Sequence, residues 1–93
     1  MKITTIDQEA IDLGIQDNCE QCPIAIAMRK NGYIEPIIGE DYISYYESET
    51  GIHMITTPVS KRIRIRIRRF DNGQNIRPFK MIEEDIFDIY EGE

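Results

Sequence analysis

The sequence predicts an α+β fold: one domain with a small antiparallel sheet packed against two or three short helices. Three observations carry this expectation. The apolar pattern switches between helical spacing and short runs of strand length. Glycine-containing turns separate those runs at Gly14, Gly32, Gly51 and Gly73. At 93 residues with a hydrophobic fraction of 41%, the chain suffices for one core and no second one.

In order, Lys2-Ile3-Thr4 reads as a first strand, and Thr5 or Asp7 can cap a brief helix carrying Ala10, Ile11 and Leu13, closed by Gly14. A turn over Gln16-Asp17-Asn18 follows. A second, almost wholly apolar helix is expected from near Cys22, because Pro23 is tolerated at the first helical position, and Asn31-Gly32 ends it. Such a helix must be buried. Residues 35–38, 41–46 and 52–56 are short tyrosine- and isoleucine-rich runs, read as antiparallel strands with a polar turn at 48–51; a helix over 40–48 is the competing reading.

Residues 58–70 support two readings. Ile63, Ile65 and Ile67 alternate with arginines, which is the pattern of a half-buried strand with a basic outer face. Val59, Ile63, Ile67 and Phe70 also recur at helical spacing, between a helix opening at Thr57-Pro58 and a stop at Asp71-Asn72-Gly73. The helix is preferred. Residues 76–81 read as an edge strand, since Pro78 cannot donate to a ladder. The domain is thus expected over 1–81, followed by an acidic segment, 82–93, whose Ile82, Ile86 and Ile89 fit one face of a short amphipathic helix.

The chain carries a net charge of -6, and its charges are segregated. Lys61, Arg62, Arg64, Arg66, Arg68 and Arg69 fall within nine positions, while residues 83–93 hold six acids and no base. Repeated guanidinium groups can neutralise phosphates, and Tyr45 and Tyr46 can add stacking surface, so Arg62, Arg64, Arg66, Arg68, Arg69, Tyr45 and Tyr46 are the candidate ligand-binding residues. The acidic balance argues against a general nucleic-acid binder. The competing reading of the basic run is a solvated face, or one paired within the chain to Glu83–Asp88.

Cys19 and Cys22, two residues apart at the mouth of the apolar helix, allow three readings. As a redox pair, Cys19 attacks and Cys22 resolves, the helix N-terminus lowering the thiol pKa. Lys2-Ile3-Thr4 and Thr57-Pro58-Val59 bear a faint similarity to the glutaredoxin-like redoxins, although such a fold wants a strand leading directly into the motif. As a metal site, Cys19, Cys22 and His53 fall short of the four ligands that tetrahedral zinc takes. As plain core, both thiols pack the helix start. The plain-core reading is preferred, no cofactor is expected, and neither a phosphate-binding glycine loop nor a nucleophile elbow is present to suggest an enzyme.

Taken together, Ile3-Thr4, a short helix to Gly14, Cys19, Cys22-Pro23-Ile24-Ala25-Ile26-Ala27, Arg29, Gly32, Thr57-Pro58 with a basic segment, and Phe70-Asp71, Gly73 and Pro78-Phe79 resemble a family of small proteins encoded by bacteriophages and prophages. The resemblance covers roughly residues 1–81 and implies a phage origin and an α+β fold, with no mechanism. Arg64-Ile65-Arg66 is more strand-like than that family's usual helix, and the acidic segment lies outside the pattern.

The function expected from these readings is that of a phage accessory protein in the host cytoplasm. It would bind a host protein or an anionic nucleotide stoichiometrically, as in counter-defence. A redox protein and a homo-oligomeric interaction module, dimer or higher, are the alternatives. No apolar run reaches the length of a membrane span, and no signal peptide is expected at the start.

Overall fold

In a computed structural model the chain is described over residues 3–46 and 54–82. The elements run β1 (Ile3–Ile6), α1 (Gln8–Leu13), α2 (Pro23–Lys30), β2 (Ile34–Ile38), β3 (Tyr42–Tyr46), β4 (Met54–Pro58), α3 (Lys61–Asp71) and β5 (Phe79–Ile82). The expected α+β domain is present, with one change of architecture. The strands form two antiparallel sheets instead of one: β1 pairs with β5, and β2-β3-β4 form a separate three-stranded sheet. Helix α2 touches both β1 and β2 and so packs against both sheets.

Each helix end has a chemical cause. The Asp7 carboxylate, rather than Thr5, accepts the Ala10 N–H at 2.9 Å and starts α1. Gly14 closes it for steric reasons: a Cβ there would lie 2.5 Å from Pro23 Cδ, on a rigid ring that cannot move aside. Gly14→Ala is therefore expected to destabilise the domain by about 1–3 kcal/mol, as overpacking does, measured by urea unfolding.

At α2, Pro23 takes the first position and the Cys22 thiol receives the Ala25 N–H at 3.5 Å. Ile24, Ala25, Ala27 and Met28 are buried, Arg29 and Lys30 suit the C-terminal dipole, and Gly32 takes the left-handed conformation beyond the cap, at φ 95°.

The helical reading of the basic segment holds, but its start shifts. Thr57 and Pro58 finish β4, and Ser60 caps α3 by accepting the Ile63 N–H at 3.4 Å. Proline is tolerated there because β4 borders the sheet on that side among the described strands. Similarly, β5 begins at Phe79, after Pro78. Residues 42–46 are strand, which sets aside the helix over 40–48. In β2 an extra residue at Glu35-Pro36, with Glu35 at φ 49°, bulges the pairing with β3.

The core draws on every layer. Ile6, Phe79 and Met81 come from the two-stranded sheet, Ile38, Ile43 and Tyr45 from the three-stranded one, Ala25 and Met28 from α2, and Ile63 and Ile67 from α3. No helix among the described residues is long and apolar enough to cross a membrane. The expected turn at 48–51, His53 and the acidic residues 83–93 lie outside the described residues.

The turn before the cysteines meets the end of α3. The Asp17 N–H donates to the Asp71 carboxylate at 3.0 Å, and the Gln16 side chain donates to the Phe70 carbonyl at 3.1 Å. The loop carrying the cysteines is held from three sides. The Asn18 side chain accepts from Glu20 and Gln21, the Ile38 N–H donates to the Cys19 carbonyl at 2.8 Å, and Arg29 reaches back to the Glu20 carbonyl at 2.8 Å.

Candidate functional site

Winding residues 61–71 into a helix separates the arginines into two rows on either side of the buried Ile63-Ile67 stripe. Arg64 and Arg68, four apart, share one flank; Arg62, Arg66 and Arg69, spaced by four and three, share the other.

The first row is committed to the chain. Arg68 Nε lies 3.1 Å from the Glu40 carboxylate. Arg64 Nε lies 3.8 Å from Asp41, and its guanidinium donates to the Val59 carbonyl at 3.4 Å. The basic run is thus partly paired within the chain, through the turn before β3; its other expected partners, Glu83–Asp88, lie outside the described residues. These pairs are at the surface and contribute at most about 1 kcal/mol each, so they orient side chains more than they stabilise the fold.

The second row faces the residues that follow α3. Arg62 donates to the Lys80 carbonyl at 2.8 Å, which ties the helix to β5. Arg66 donates to the Arg62 carbonyl at 3.0 Å, and its guanidinium carbon lies 4.9 Å from the centre of the Phe79 ring, a cation–π contact that fixes its head group.

What brings a further cation, Arg77, beside Arg66 and Arg69 is the end of the helix. The Gln74 N–H donates to the Arg69 carbonyl at 2.9 Å and the Gly73 N–H to the Phe70 carbonyl at 3.0 Å, with Gly73 at φ 79°. This is a Schellman ending, which reverses the chain and lays residues 75–78 back beside the last turns of α3. The result is a cleft of about 470 Å³ lined by Ile65, Arg66, Arg69, Asn75, Ile76, Arg77 and Pro78. Three arginines, Arg66, Arg69 and Arg77, line it with Ile65, Ile76 and Pro78, and none of the described residues lining it is acidic. Chemically, the cleft can take an anion in forked hydrogen bonds and cover it on one side with apolar surface.

Of the expected ligand-binding residues, Arg66 and Arg69 line this cleft, while Arg62, Arg64 and Arg68 point their charges at other parts of the chain. Tyr45 is buried in the core, edge-on to Tyr33 with ring centroids 4.7 Å apart, so it offers no open ring face. Tyr46 is half-buried at the far end of β3, roughly 13 Å along the strand from the Tyr42 end that adjoins Asp41, and does not line the cleft. Arg77 escaped the sequence reading, which took 76–81 for strand, and so did Asn75, in the turn before it. The signal that would have found them is Gly73 itself, since a left-handed ending makes the following residues double back on the helix.

The cysteines are in unlike settings: Cys19 is exposed, Cys22 is buried, and both are free thiols. The segment leading into them is a loop with turns and not a strand. Burial pushes the Cys22 thiol from its ordinary 9.0 up to about 11, outweighing the backbone N–H groups of Ala25 and Ile24, which favour the thiolate. Among the described residues no group of three or more His, Cys, Asp and Glu side chains is placed to hold a metal ion; His53 is not one of those residues.

A thiol harder to ionise folded than unfolded contributes stability that is complete below pH 9 and disappears as the pH climbs from about 9 to about 11. The loss is on the order of 2 kcal/mol. Lys30, raised by its hydrogen bond to Glu9, acts in the same direction. Urea unfolding across this range should therefore show falling stability, with a shallower fall in Cys22→Ala; maleimide at neutral pH should label Cys19 well before Cys22.

No protein-family model, curated protein or solved structure matches the chain.

Proposed function

We propose that this protein works by stoichiometric binding, with the Arg66-Arg69-Arg77 cleft holding a small phosphate-bearing anion. The observation that carries this reading is the presence of three arginines along one concave surface that no described acidic side chain lines. Each charge-assisted hydrogen bond to an arginine is worth roughly 1.5–3 kcal/mol, so two or three together supply about 3–9 kcal/mol of gross attraction, against which the costs of association are set. Concavity favours a small ligand over a flat protein surface. In the setting that the motif resemblance implies, the protein is an accessory protein of a bacteriophage. It sequesters the anion in the host cytoplasm, as a counter-defence protein would sequester a nucleotide signal.

Titration calorimetry with inorganic pyrophosphate, at low and high salt, tests this. One saturable site per chain, weakened by salt, is the expected result. The absence of a saturable site at low salt would remove the cleft from the account.

A further inference from the structure

Asn75 and Ile76 stand between two clefts. On the side of Ile76 away from the arginines lies a second cleft of about 400 Å³, lined on its polar side by Gln8, Asp12, Gln16, Gln74 and Asn75, with Ile11 and Phe70 as apolar surface. Asn75 and Ile76 line both clefts, so the two clefts adjoin. Their chemistries are opposite. The first takes anions through guanidinium groups; the second offers amides, which both donate and accept, and one carboxylate, which repels phosphate and accepts from N–H groups.

We infer that the ligand is a nucleotide, its phosphate held by Arg66, Arg69 and Arg77 and its base held in the amide-lined cleft across Asn75-Ile76. This rests on the phosphate reading of the first cleft and adds the identity of the ligand class. Inorganic phosphate and sugar phosphates fill only the basic half. A nucleobase matches the other half, because its edge carries donors and acceptors for amides and its faces are apolar enough for Ile11, Phe70 and Ile76. The Asp12 carboxylate sets the direction, since phosphate is excluded from its side while a ring or exocyclic N–H is attracted to it. Gln8 is oriented by donating to Asp12 at 2.9 Å and Gln16 by donating to the Phe70 carbonyl at 3.1 Å. That leaves Gln74 and Asn75, both exposed, as the amides free to turn toward a base.

The test is calorimetric titration of the full chain with AMP, GMP, CMP, UMP, ribose 5-phosphate and inorganic phosphate, repeated on the variant carrying Gln8→Ala and Gln74→Ala, two residues that line the amide cleft and not the basic one. At least one nucleotide should bind about tenfold or more tighter than ribose 5-phosphate. The double variant should lose that margin while inorganic phosphate binds as before. Both positions are at the surface, and the helix-ending bond of Gln74 uses its backbone N–H, so the variant keeps the fold. If phosphate binds but no nucleotide exceeds ribose 5-phosphate, the nucleotide inference is overturned and the phosphate site stands. A nucleotide margin that survives the double substitution overturns the placement of the base. If no probe binds, both readings fall.

Discussion

Replacing Ile63 with alanine should cost about 2–5 kcal/mol, while the same change at Ile65, two positions on, should cost less than about 0.5 kcal/mol. Ile63 is 0% exposed in the core and Ile65 is 48% exposed on the outer face of α3. On a strand the two would share a face and suffer alike; on a helix they stand about 200° apart. The contrast therefore separates the two patterns superimposed in residues 61–69, and it bears on function because only the helical winding divides the arginines into two rows. For a domain of this size, with total stability of roughly 5–10 kcal/mol, Ile63→Ala approaches the unfolding threshold at physiological temperature. Chemical denaturation of the three proteins reads both values.

The second large effect is on binding. The pair Arg69→Gln and Arg77→Gln should weaken pyrophosphate binding by about a hundredfold or more, since it removes two of the three arginines that line the cleft. Stability should change by less than about 1 kcal/mol, because both side chains are exposed and only Arg69, in the last turn of α3, loses a favourable interaction with the helix dipole. The matched pair on the other flank, Arg64→Gln and Arg68→Gln, should leave binding within about threefold, because those charges are directed at Asp41 and Glu40. Equal losses from both pairs would mean that the whole helix acts as a diffuse positive surface, and the cleft would have no special part.

Helix α2 was fully legible, because Pro23 and Asn31-Gly32 are chemical punctuation that acts locally. The type of α3 was legible from its helical apolar spacing, and its stop from Gly73; its start was not, since Pro58 suits the end of an edge strand as well as the start of a helix. The division into two sheets could not be read. β1 pairs with β5 from the opposite side of the chain, Ile3 opposite Ile82, and no local pattern encodes which distant strand a short strand will choose.

The candidate site was legible in part for the same reason. Arg66 and Arg69 announced themselves by density of charge. Arg77 did not, because its place beside them depends on the chain reversal after α3. Tyr45, offered as stacking surface, lies in the core instead, since a tyrosine on a strand gives no sign of which face is buried until the partner, here Tyr33, is known.

Backbone amide chemical shifts recorded while inorganic pyrophosphate is added test the central claim most directly. Shifts concentrated at residues 65–69 and 75–78, saturating together with a single affinity, are what an anion held by Arg66, Arg69 and Arg77 predicts. Shifts concentrated at residues 40–41 with Arg64 and Arg68, or around Cys19 and Cys22, or none at all, would contradict it.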